Sequence, residues 1–271
     1  MIAESSVAHI DESTPTDQFI TWTIERFRNR RVVITTSFGM EGCALIDMFA
    51  AQGAAPTVVY LDTMFFFPET YALRDRMVRR YPLITFVNRG TSLSPEAQAA
   101  RHGPELWRRD PDLCCQLRKV EPMVPALTGA DAWVTAITRS QADSRKNTPL
   151  IAWDWQYQVV KISPLAGWDR ARIWDYVRQH DVPYNELHER GYPTIGCTHC
   201  TAPVPGSSPS EYSRRGRWAG TEKTECGLHW GEGVTISTPH PERSEGPGQL
   251  ASGARNAGPS VASLLRDEER I

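Results

Sequence analysis

The sequence predicts an α/β fold in which helices lie on both faces of a mostly parallel, twisted sheet, followed by an irregular C-terminal segment. Short β-branched segments alternate with helix-prone segments from residue 31 onward, which is the pattern of a parallel sheet. Hydrophobic residues make up 40% of the 271 residues, enough to fill a sizeable core. From residue 192 the alternation stops, and Gly, Pro, Ser, Arg and three of the six cysteines dominate.

The strands and helices are predicted from residue type, in chain order. A polar start is followed by a helix over residues 17–30. Apolar, largely β-branched runs predict strands at residues 31–36, 57–62, 83–87 and 132–137. Helices are predicted over residues 43–51, 68–80 and 169–180, with Pro68 in the first turn of one and Asp169 as the N-cap of another. Residues 151–155 and 157–162 predict a hairpin at one edge of the sheet.

Bulk composition argues against several classes of function. The formal net charge of −2 gives no signal for binding nucleic acid. No run of about 18 apolar residues occurs, so no membrane span is expected. The N-terminus lacks a basic stretch followed by an apolar one, so no secretory signal is expected. We therefore expect a cytoplasmic protein, in which paired cysteines bind metal or do redox chemistry more often than they form disulfides.

An anion site is predicted where the first strand passes into a helix. Ser37, Phe38 and Gly39 occupy this turn, where backbone N–H groups and a helix dipole can hold a phosphate or sulfate. The glycines here, Gly39 and Gly42, would let the backbone approach such a group closely. The turn is neither a Walker A motif nor a dinucleotide fingerprint, so an ordinary strand-to-helix turn remains an alternative.

Two further segments are predicted to reach the same edge of the sheet. Asp62 and Thr63 end the second strand, and Arg139 and Arg145 follow the fourth. In open parallel sheets, ligands bind at the carboxyl ends of the strands. Guanidinium groups match phosphate and sulfate oxygens, although these arginines could equally solvate a loop.

Four cysteines in two pairs form a candidate metal site: Cys114 with Cys115, and Cys197 with Cys200. Four thiolates can hold an iron–sulfur cluster or, with His199 as a further candidate ligand, a structural zinc ion. Adjacent side chains tend to diverge, so the first pair is expected to need a kinked helix. Basic residues follow the first pair at Arg118 and Lys119. They could tune a cluster, bridge it to an anionic substrate, or form a basic helix surface.

A fifth cysteine, Cys226, lies outside any metal-ligand spacing and is a candidate nucleophile. Its neighbours include Lys223, Glu225 and His229, and a nearby Lys or His can increase the thiolate fraction of a thiol. The alternative is an incidental exposed cysteine. The sixth, Cys43, lies in an apolar helix and is expected to be buried and inert.

Together these motifs identify a family. The chain resembles the assimilatory adenylyl-sulfate reductases, which share a fold with phosphoadenylyl-sulfate reductases and the N-type ATP pyrophosphatases. The resemblance runs from about residue 31 to about residue 233. The matching segments are residues 37–42 (SFGMEG), 61–63 (LDT), 67–71 (FPETY), 114–122 (CCQLRKVEP), 197–200 (CTHC), 214–218 (RRGRW) and 223–229 (KTECGLH).

The resemblance implies a substrate, a cofactor and a partner. Both cysteine pairs are present, which in this family implies a [4Fe-4S] cluster and adenosine 5′-phosphosulfate as the substrate. Cys226 would take the sulfo group as S-sulfocysteine and expel AMP, and a thioredoxin-like dithiol would then release sulfite. The implied substrate-binding residues are Ser37, Phe38, Gly39, Asp62, Thr63, Lys119, Arg139, Arg145, Arg214, Arg217 and His229.

Two alternatives and several open points remain. The enzyme could prefer 3′-phosphoadenosine 5′-phosphosulfate, or the protein could be a non-catalytic zinc or nucleotide-binding protein. The oligomeric state is open, a homo-oligomer included. Met64 stands where the family usually has glycine, and the segment over residues 201–212 is longer than usual. We expect a helical segment at 1–30, a nucleotide-binding domain at 31–191, a cluster-completing and catalytic segment at 192–235 and a disordered tail at 236–271.

Overall fold

A six-stranded sheet forms the centre of this computed structural model, which describes residues 10–212 and 214–229. The strand order is β3-β2-β1-β4-β6-β5. The strands are β1 (Val32–Thr36), β2 (Thr57–Tyr60), β3 (Thr85–Asn88), β4 (Ala132–Thr135), β5 (Ile151–Asp154) and β6 (Val159–Ile162). Neighbouring strands are parallel, apart from the antiparallel pair of β5 and β6. The predicted α/β class is confirmed.

The helices surround this sheet in chain order. They are α1 (Thr16–Arg26), α2 (Met40–Ala51), α3 (Pro68–Arg80), α4 (Pro95–His102), α5 (Leu106–Arg109), α6 (Pro111–Cys115), α7 (Glu121–Leu127) and α8 (Arg170–Gln179). A π-helical segment, Gln116–Val120, joins α6 to α7. Short 3₁₀ turns cover Arg139–Gln141, Asp143–Arg145, Glu186–Arg190 and Thr198–Cys200. No helix within the described residues is long and apolar enough to cross a membrane.

Alternation along the strands explains why helices lie on both faces. Val33, Val59 and Trp133 form one buried cluster with side chains of α7, including Met123. Because successive strand residues point to opposite faces, Ile34 belongs to the other face. There α2 and α8 pack against each other. A parallel sheet buried on both faces needs such apolar runs.

Most predicted elements are confirmed, with shifted ends. Asp169 caps α8 by accepting a hydrogen bond from the Arg172 backbone at 2.8 Å. The predicted hairpin is confirmed, and β5 forms the edge. The strand predicted from residue 83 begins at Thr85, because a turn precedes it and Leu83 is exposed.

Two predicted helices have different bounds in the structure, and two further predictions stay predictions. The helix predicted from Cys43 begins at Met40, so the predicted turn over residues 37–42 is only three residues long. The first helix ends at Arg26 rather than residue 30. The predicted tail at 236–271 lies outside the described residues, and the division into domains stays a prediction.

The chain order places a crevice beside β1. Connections from β1 run outward to β2 and β3, whereas the chain then returns to place β4 on the other side of β1. The carboxyl ends of β1 and β4 therefore flank the point where the direction of winding reverses. Ligands bind at such points in open α/β sheets.

Candidate active site

A cavity of about 190 Å³ lies at the carboxyl ends of β1 and β4. Ser37 and Gly39 line it from the turn after β1, and Ala136 and Ile137 line it from the turn after β4. Gly39 is the N-cap of α2, so the positive end of that helix faces the cavity. This edge of the sheet can therefore receive an anion.

The turn after β1 has an unusual backbone. Phe38 has φ 58°, and its N–H donates to Thr36 Oγ1 at 2.9 Å. Its ring is buried and packs 5.3 Å from the ring of Tyr60, centroid to centroid. Gly42 leaves room for Thr36, because a Cβ at that position would lie 2.5 Å from Thr36 Oγ1. Phe38 therefore stabilises this turn through its buried ring, which does not line the cavity.

The loop after β2 is organised around Asp62. Its Oδ1 accepts hydrogen bonds from the Met64 backbone and the Tyr71 hydroxyl, each at 2.8 Å. Thr63 is fully buried and its Oγ1 lies 3.3 Å from Cys197 Sγ. Met64 has φ 58°, the conformation that glycine adopts without strain. Thr63 thus contacts the cysteine site, whereas Asp62 organises its own loop, and neither residue lines the cavity.

Arg139 is not brought to the cavity. Its guanidinium donates to both carboxylate oxygens of Glu12, at 2.8 and 2.6 Å, and to the Thr148 carbonyl at 2.8 Å. The structure therefore places Arg139 in contact with the N-terminal segment.

The four paired cysteines converge on one small pocket beside the cavity. Cys114, Cys115, Cys197 and Cys200 all line it, and each is a free thiol. Burial first, and then the neighbouring thiols, raise the pKa of Cys114 to about 12 and that of Cys200 to about 11. The two pairs are therefore within electrostatic reach of each other although 82 residues separate Cys115 from Cys197.

A helical irregularity lets the adjacent cysteines share this pocket. Cys114 and Cys115 end α6, and the π-helical segment begins at Gln116. Such segments often occur at functional sites. The kinked helix expected from the sequence is therefore present as a local change of helix type.

Arg118 is a buried residue of the cysteine pocket that forms hydrogen bonds with two other segments of the chain. It is 1% exposed and donates to the Thr63 carbonyl and to Gln98 Oε1, each at 2.7 Å. Its guanidinium also lies 4.1 Å from the centre of the Phe65 ring. Its Nη2 is buried and has no hydrogen-bond partner in the described part of the chain. An orphaned buried donor beside four thiols fits a site made for a negatively charged group.

Four thiols are a donor set that an iron–sulfur cluster or a zinc ion can use. Within residues 10–212 and 214–229, no three His, Cys, Asp or Glu side chains lie close enough to hold one metal ion. A tetrahedral zinc site would hold its sulfurs about 3.8 Å apart, whereas a [4Fe-4S] core is a larger body bound by four separated thiolates. The ring of His199 stacks on Trp107 with centroids 4.6 Å apart.

Cys226 lines the main cavity together with Ser37 and Gly39 of the turn after β1. Lys119 lines both the cavity and the cysteine pocket. Burial works against a thiolate at Cys226, yet Lys119, the Leu228 backbone N–H and Arg145 together hold the pKa of Cys226 below its usual value. The arrangement places a thiol that could act as a nucleophile among positively charged side chains.

Comparison with known proteins agrees with this geometry. The family model for the phosphoadenosine phosphosulfate reductase domain matches residues 31–203. The adenosine 5′-phosphosulfate reductase of Oceanobacillus iheyensis is 42% identical over 219 residues, which is 81% of this chain and 90% of the relative. That of Salinibacter ruber is 45% identical over 195 residues, 72% of this chain and 76% of the relative.

The chain belongs to the phosphoadenosine phosphosulfate reductase domain family. Among solved structures, a phosphoadenylyl-sulfate reductase from Candida auris in a phosphate complex is 31% identical, with a TM-score of 0.61, and covers 71% of this chain and 91% of its own. An FMN adenylyltransferase from Candida glabrata, 17% identical with a TM-score of 0.52, shares the fold alone.

The C-terminal segment is anchored beyond Cys226 by Leu228 and His229. The ring of His229 stacks on Trp133 with centroids 5.2 Å apart, and Leu228 packs against the cluster of Val33 and Trp133. Burial first, and then Lys161, hold the pKa of His229 well below its usual value. A neutral imidazole cannot stabilise a thiolate by charge, which argues against the activating role considered for His229 from its place beside Cys226.

The other flanking residues also differ from the expectation. Lys223 forms an ion pair with Asp112, and Glu225 is bound by Arg145 and Arg214. The charge that favours the Cys226 thiolate comes mainly from Lys119, because the fold places the π-helical segment next to the C-terminal segment. The predicted lowering of the Cys226 pKa is present, but its main cause is Lys119 and not a residue next to Cys226 in the sequence.

Seven of the eleven predicted substrate-binding residues line the cavity, together with the predicted catalytic residue Cys226. The seven are Ser37, Gly39, Lys119, Arg145, Arg214, Arg217 and His229. Arg217 also ties the cavity to the cysteine pocket, because its Nε donates to the Cys200 carbonyl at 3.1 Å. No side chain could replace Gly196 without displacing the Arg217 guanidinium, 2.5 Å from a Cβ built there.

Three buried polar residues in the cavity wall were missed from the sequence. Arg170 Nη1 lies 2.6 Å from Glu41 Oε1, and Arg170 Nη2 lies 3.3 Å from His188 Nδ1. All three line the cavity. They are 129 and 18 residues apart along the chain, so no local motif could show that they meet.

Proposed function

We propose that this protein reduces adenosine 5′-phosphosulfate to sulfite and AMP in assimilatory sulfate reduction. The observation that carries the proposal is the place of Cys226: it lines the same cavity as the turn after β1 and Lys119. That cavity combines an anion-receiving helix terminus with a thiol whose pKa is lowered. The names of the relatives from Oceanobacillus iheyensis and Salinibacter ruber support the substrate.

The proposed chemistry has two steps. The Cys226 thiolate attacks the sulfur of the sulfo group; a new S–S bond forms, the S–O bond to the phosphate breaks, and AMP leaves. A thioredoxin-like dithiol then attacks Cys226 Sγ, releases sulfite and supplies two electrons as it becomes a disulfide. Lys119, Arg145, Arg214 and Arg217 supply the positive charge that an anionic substrate needs in the cavity.

We further propose that Cys114, Cys115, Cys197 and Cys200 hold a [4Fe-4S] cluster. Their shared pocket and the orphaned Arg118 Nη2 support this assignment. When bound, the cluster would supply a fixed charged centre beside Lys119 and would not carry electrons to the substrate. Lys119 and Arg217 line both the pocket and the cavity, so their ammonium and guanidinium groups would orient the substrate. All six cysteines are free thiols, as the reducing cytoplasm proposed for this enzyme requires.

The first test is the substitution Cys226→Ser in anaerobically purified protein. A serine hydroxyl is not a thiolate at neutral pH, so we expect at least a 1000-fold loss of sulfite release from adenosine 5′-phosphosulfate. Cys43→Ala is the matched control, because Cys43 is a thiol in the core of α2, outside the cavity lining. Sulfite release that survives Cys226→Ser would refute the proposed mechanism.

The second test is iron and sulfide quantitation. The proposal predicts about four of each per chain, and each single cysteine-to-serine substitution in the two pairs should lower both. Stoichiometric zinc without iron or sulfide would instead favour a non-catalytic zinc protein.

A second candidate activity is reduction of 3′-phosphoadenosine 5′-phosphosulfate. It is favoured by the similarity to the phosphoadenylyl-sulfate reductase from Candida auris. Competition of the two substrates in one assay separates the candidates. We expect the substrate without the 3′-phosphate to be consumed first; the opposite order would establish the second candidate.

A further inference from the structure

The carboxylate of Glu225, next to the nucleophile, is bound by two arginines of the cavity wall. Arg145 donates from Nε to Oε1 and from Nη2 to Oε2, each at 2.8 Å. Arg214 Nη1 lies 2.8 Å from Oε1. Ser144 adds a hydrogen bond to Oε1 at 3.1 Å. Arg145, Arg214 and Ser144 therefore form a receptor that binds both oxygens of an anionic group, and Glu225 occupies this receptor.

This receptor is shielded from water. The side chains of Arg145, Glu225 and Arg214 are 9%, 17% and 18% exposed. Burial opposes ionisation, yet Arg145 and then Arg214 hold the pKa of Glu225 below its usual value. Two guanidinium groups share one carboxylate, so the group keeps one net positive charge even with Glu225 in place.

The remaining donors of both arginines are largely engaged by the protein itself. Arg145 Nη1 donates to Gln141. Arg214 donates to the Tyr212 hydroxyl at 3.2 Å and to the Thr224 carbonyl. An anionic substrate group that binds these two guanidinium groups in the same way therefore competes with Glu225.

Replacing Glu225 must also affect Cys226. Arg214 donates to the backbone carbonyl of Thr224 as well as binding the Glu225 carboxylate. An anion that takes these donors therefore removes the anchor of both the backbone and the side chain on the N-terminal side of the thiol. The opposite anchor, formed by Leu228 and His229, lies two and three residues beyond Cys226. Release on the Glu225 side alone would let Cys226 move while the far anchor stays in place.

We propose that Glu225 is an internal anion that holds the place of the substrate's anionic group on Arg145 and Arg214, and that exchange of the two anions releases the Cys226 segment. The inference rests on the proposed function for the identity of that group. Binding of the substrate and release of the Cys226 segment are then linked, so each favours the other by the same factor. Glu225 is in these terms a positioning residue, since it acts on the reaction through Cys226.

One experiment uses the unsubstituted holoprotein and needs no activity. Trypsin cleaves after Lys223, whose side chain is 7% exposed while it pairs with Asp112, and mass spectrometry detects the fragment that starts at Thr224. Sodium sulfate should accelerate this cleavage several-fold over sodium chloride of equal ionic strength. Sulfate otherwise stabilises folded proteins, so its usual effect has the opposite sign. Equal or slower cleavage in sulfate would overturn the proposal.

The second experiment measures affinity in a Cys226→Ser background, where no reaction follows binding. Glu225→Gln removes the competing charge, so adenosine 5′-phosphosulfate should bind about 5- to 10-fold more tightly. Glu222→Gln is the matched control, an exposed carboxylate in the same segment. Unchanged or weaker binding in Glu225→Gln would overturn the proposal. If the Cys226→Ser protein binds no substrate at all, the proposed function fails, and the trypsin experiment still decides the role of Glu225.

Discussion

At Cys226, the side chain that favours the thiolate comes from a distant part of the chain. Lys119 lines the cavity with Cys226 although 107 residues separate them. Its own pKa is raised: burial opposes the charge, but the thiols of Cys197, Cys226 and Cys115 outweigh it. Lys119 therefore stays charged where it lines both the cavity that contains Cys226 and the cysteine pocket.

Replacing Lys119 by methionine should raise the pKa of Cys226. Methionine keeps the length of the side chain and removes the charge, so the rate of alkylation of Cys226 by iodoacetamide should rise at a higher pH than in the unsubstituted protein. Peptide mass spectrometry isolates this thiol from the other five. Lys146→Met removes an exposed lysine and should leave the profile in place. A profile unchanged by Lys119→Met would show that Lys119 does not control the thiol.

Residue chemistry predicted some members of the site and missed others. The cysteines and Lys119 could be found from the sequence because thiols and a lysine in such spacings carry chemistry that few structural roles require. Phe38 and Arg139 could not be placed, since only the folded chain shows that Phe38 packs on Tyr60 and that Arg139 binds Glu12. Charge pairs between distant segments leave no local pattern.

Among the elements, α2 and α8 are joined at their first turns. Glu41 lies in the first turn of α2 and Arg170 begins α8. Their side chains form a buried ion pair at 2.6 Å, and Arg170 Nε also donates to the Pro209 carbonyl at 2.9 Å. This pair fixes the helix terminus that faces the cavity.

Arg170→Met should destabilise the protein by about 3–5 kcal/mol, because it leaves the Glu41 carboxylate buried without a partner. Urea denaturation measures the loss. The double variant Arg170→Met/Glu41→Gln removes the stranded charge and should recover part of it. Arg79→Met, at an exposed position of α3, should change the free energy of unfolding by less than about 0.5 kcal/mol. A similarly small change in Arg170→Met would mean that the ion pair contributes little.

Elements whose ends are marked by residues such as proline were predicted well from the sequence, whereas elements that depend on packing were not. The helix Pro68–Arg80 has the predicted bounds, since Pro68 sets its first turn. Apart from the kinked helix expected at the adjacent cysteines, the helices between Pro95 and Leu127 were not predicted. They are short, and proline interrupts α7, so their periodic signal is weak.

At the scale of the whole molecule, the buried network of Glu41, Arg170 and His188 connects stability to pH. His188 Nδ1 lies 2.7 Å from the Tyr192 carbonyl, so this nitrogen carries the proton of the neutral ring. Burial first, and then the charge of Arg170, lower the pKa of His188 to about 4. The unfolded chain takes up this proton near pH 6.5, well before the folded protein does.

The free energy of unfolding should therefore fall as the pH decreases from about 6.5 towards 4. The unfolded state binds more protons in this window, so the contribution of His188 is complete above it and is lost on acidification, by up to about 3 kcal/mol. Urea denaturation at pH 7 and pH 5 measures the effect. His188→Gln should flatten the dependence, whereas His180→Gln, at an exposed position, should not. An equal slope in His188→Gln would assign the pH dependence to other groups.

The architecture of the whole chain was the most predictable level. Alternating apolar and helix-prone segments determine a parallel sheet, and the edge at which ligands bind follows from it. The order of the strands and the approach of the C-terminal segment to Lys119 depend on contacts between residues more than 100 positions apart. Such contacts could be located only in the folded molecule.

The π-helical segment Gln116–Val120 makes the site sensitive to insertions and deletions. Each residue of an α-helix turns it by about 100°, so deleting one residue here, and restoring a regular α-helix, would rotate Lys119 away from its place relative to Cys114 and Cys115. Every functional side chain would still be in the sequence. Across relatives, the length of this short stretch should therefore be as informative about a working site as the identity of its cysteines.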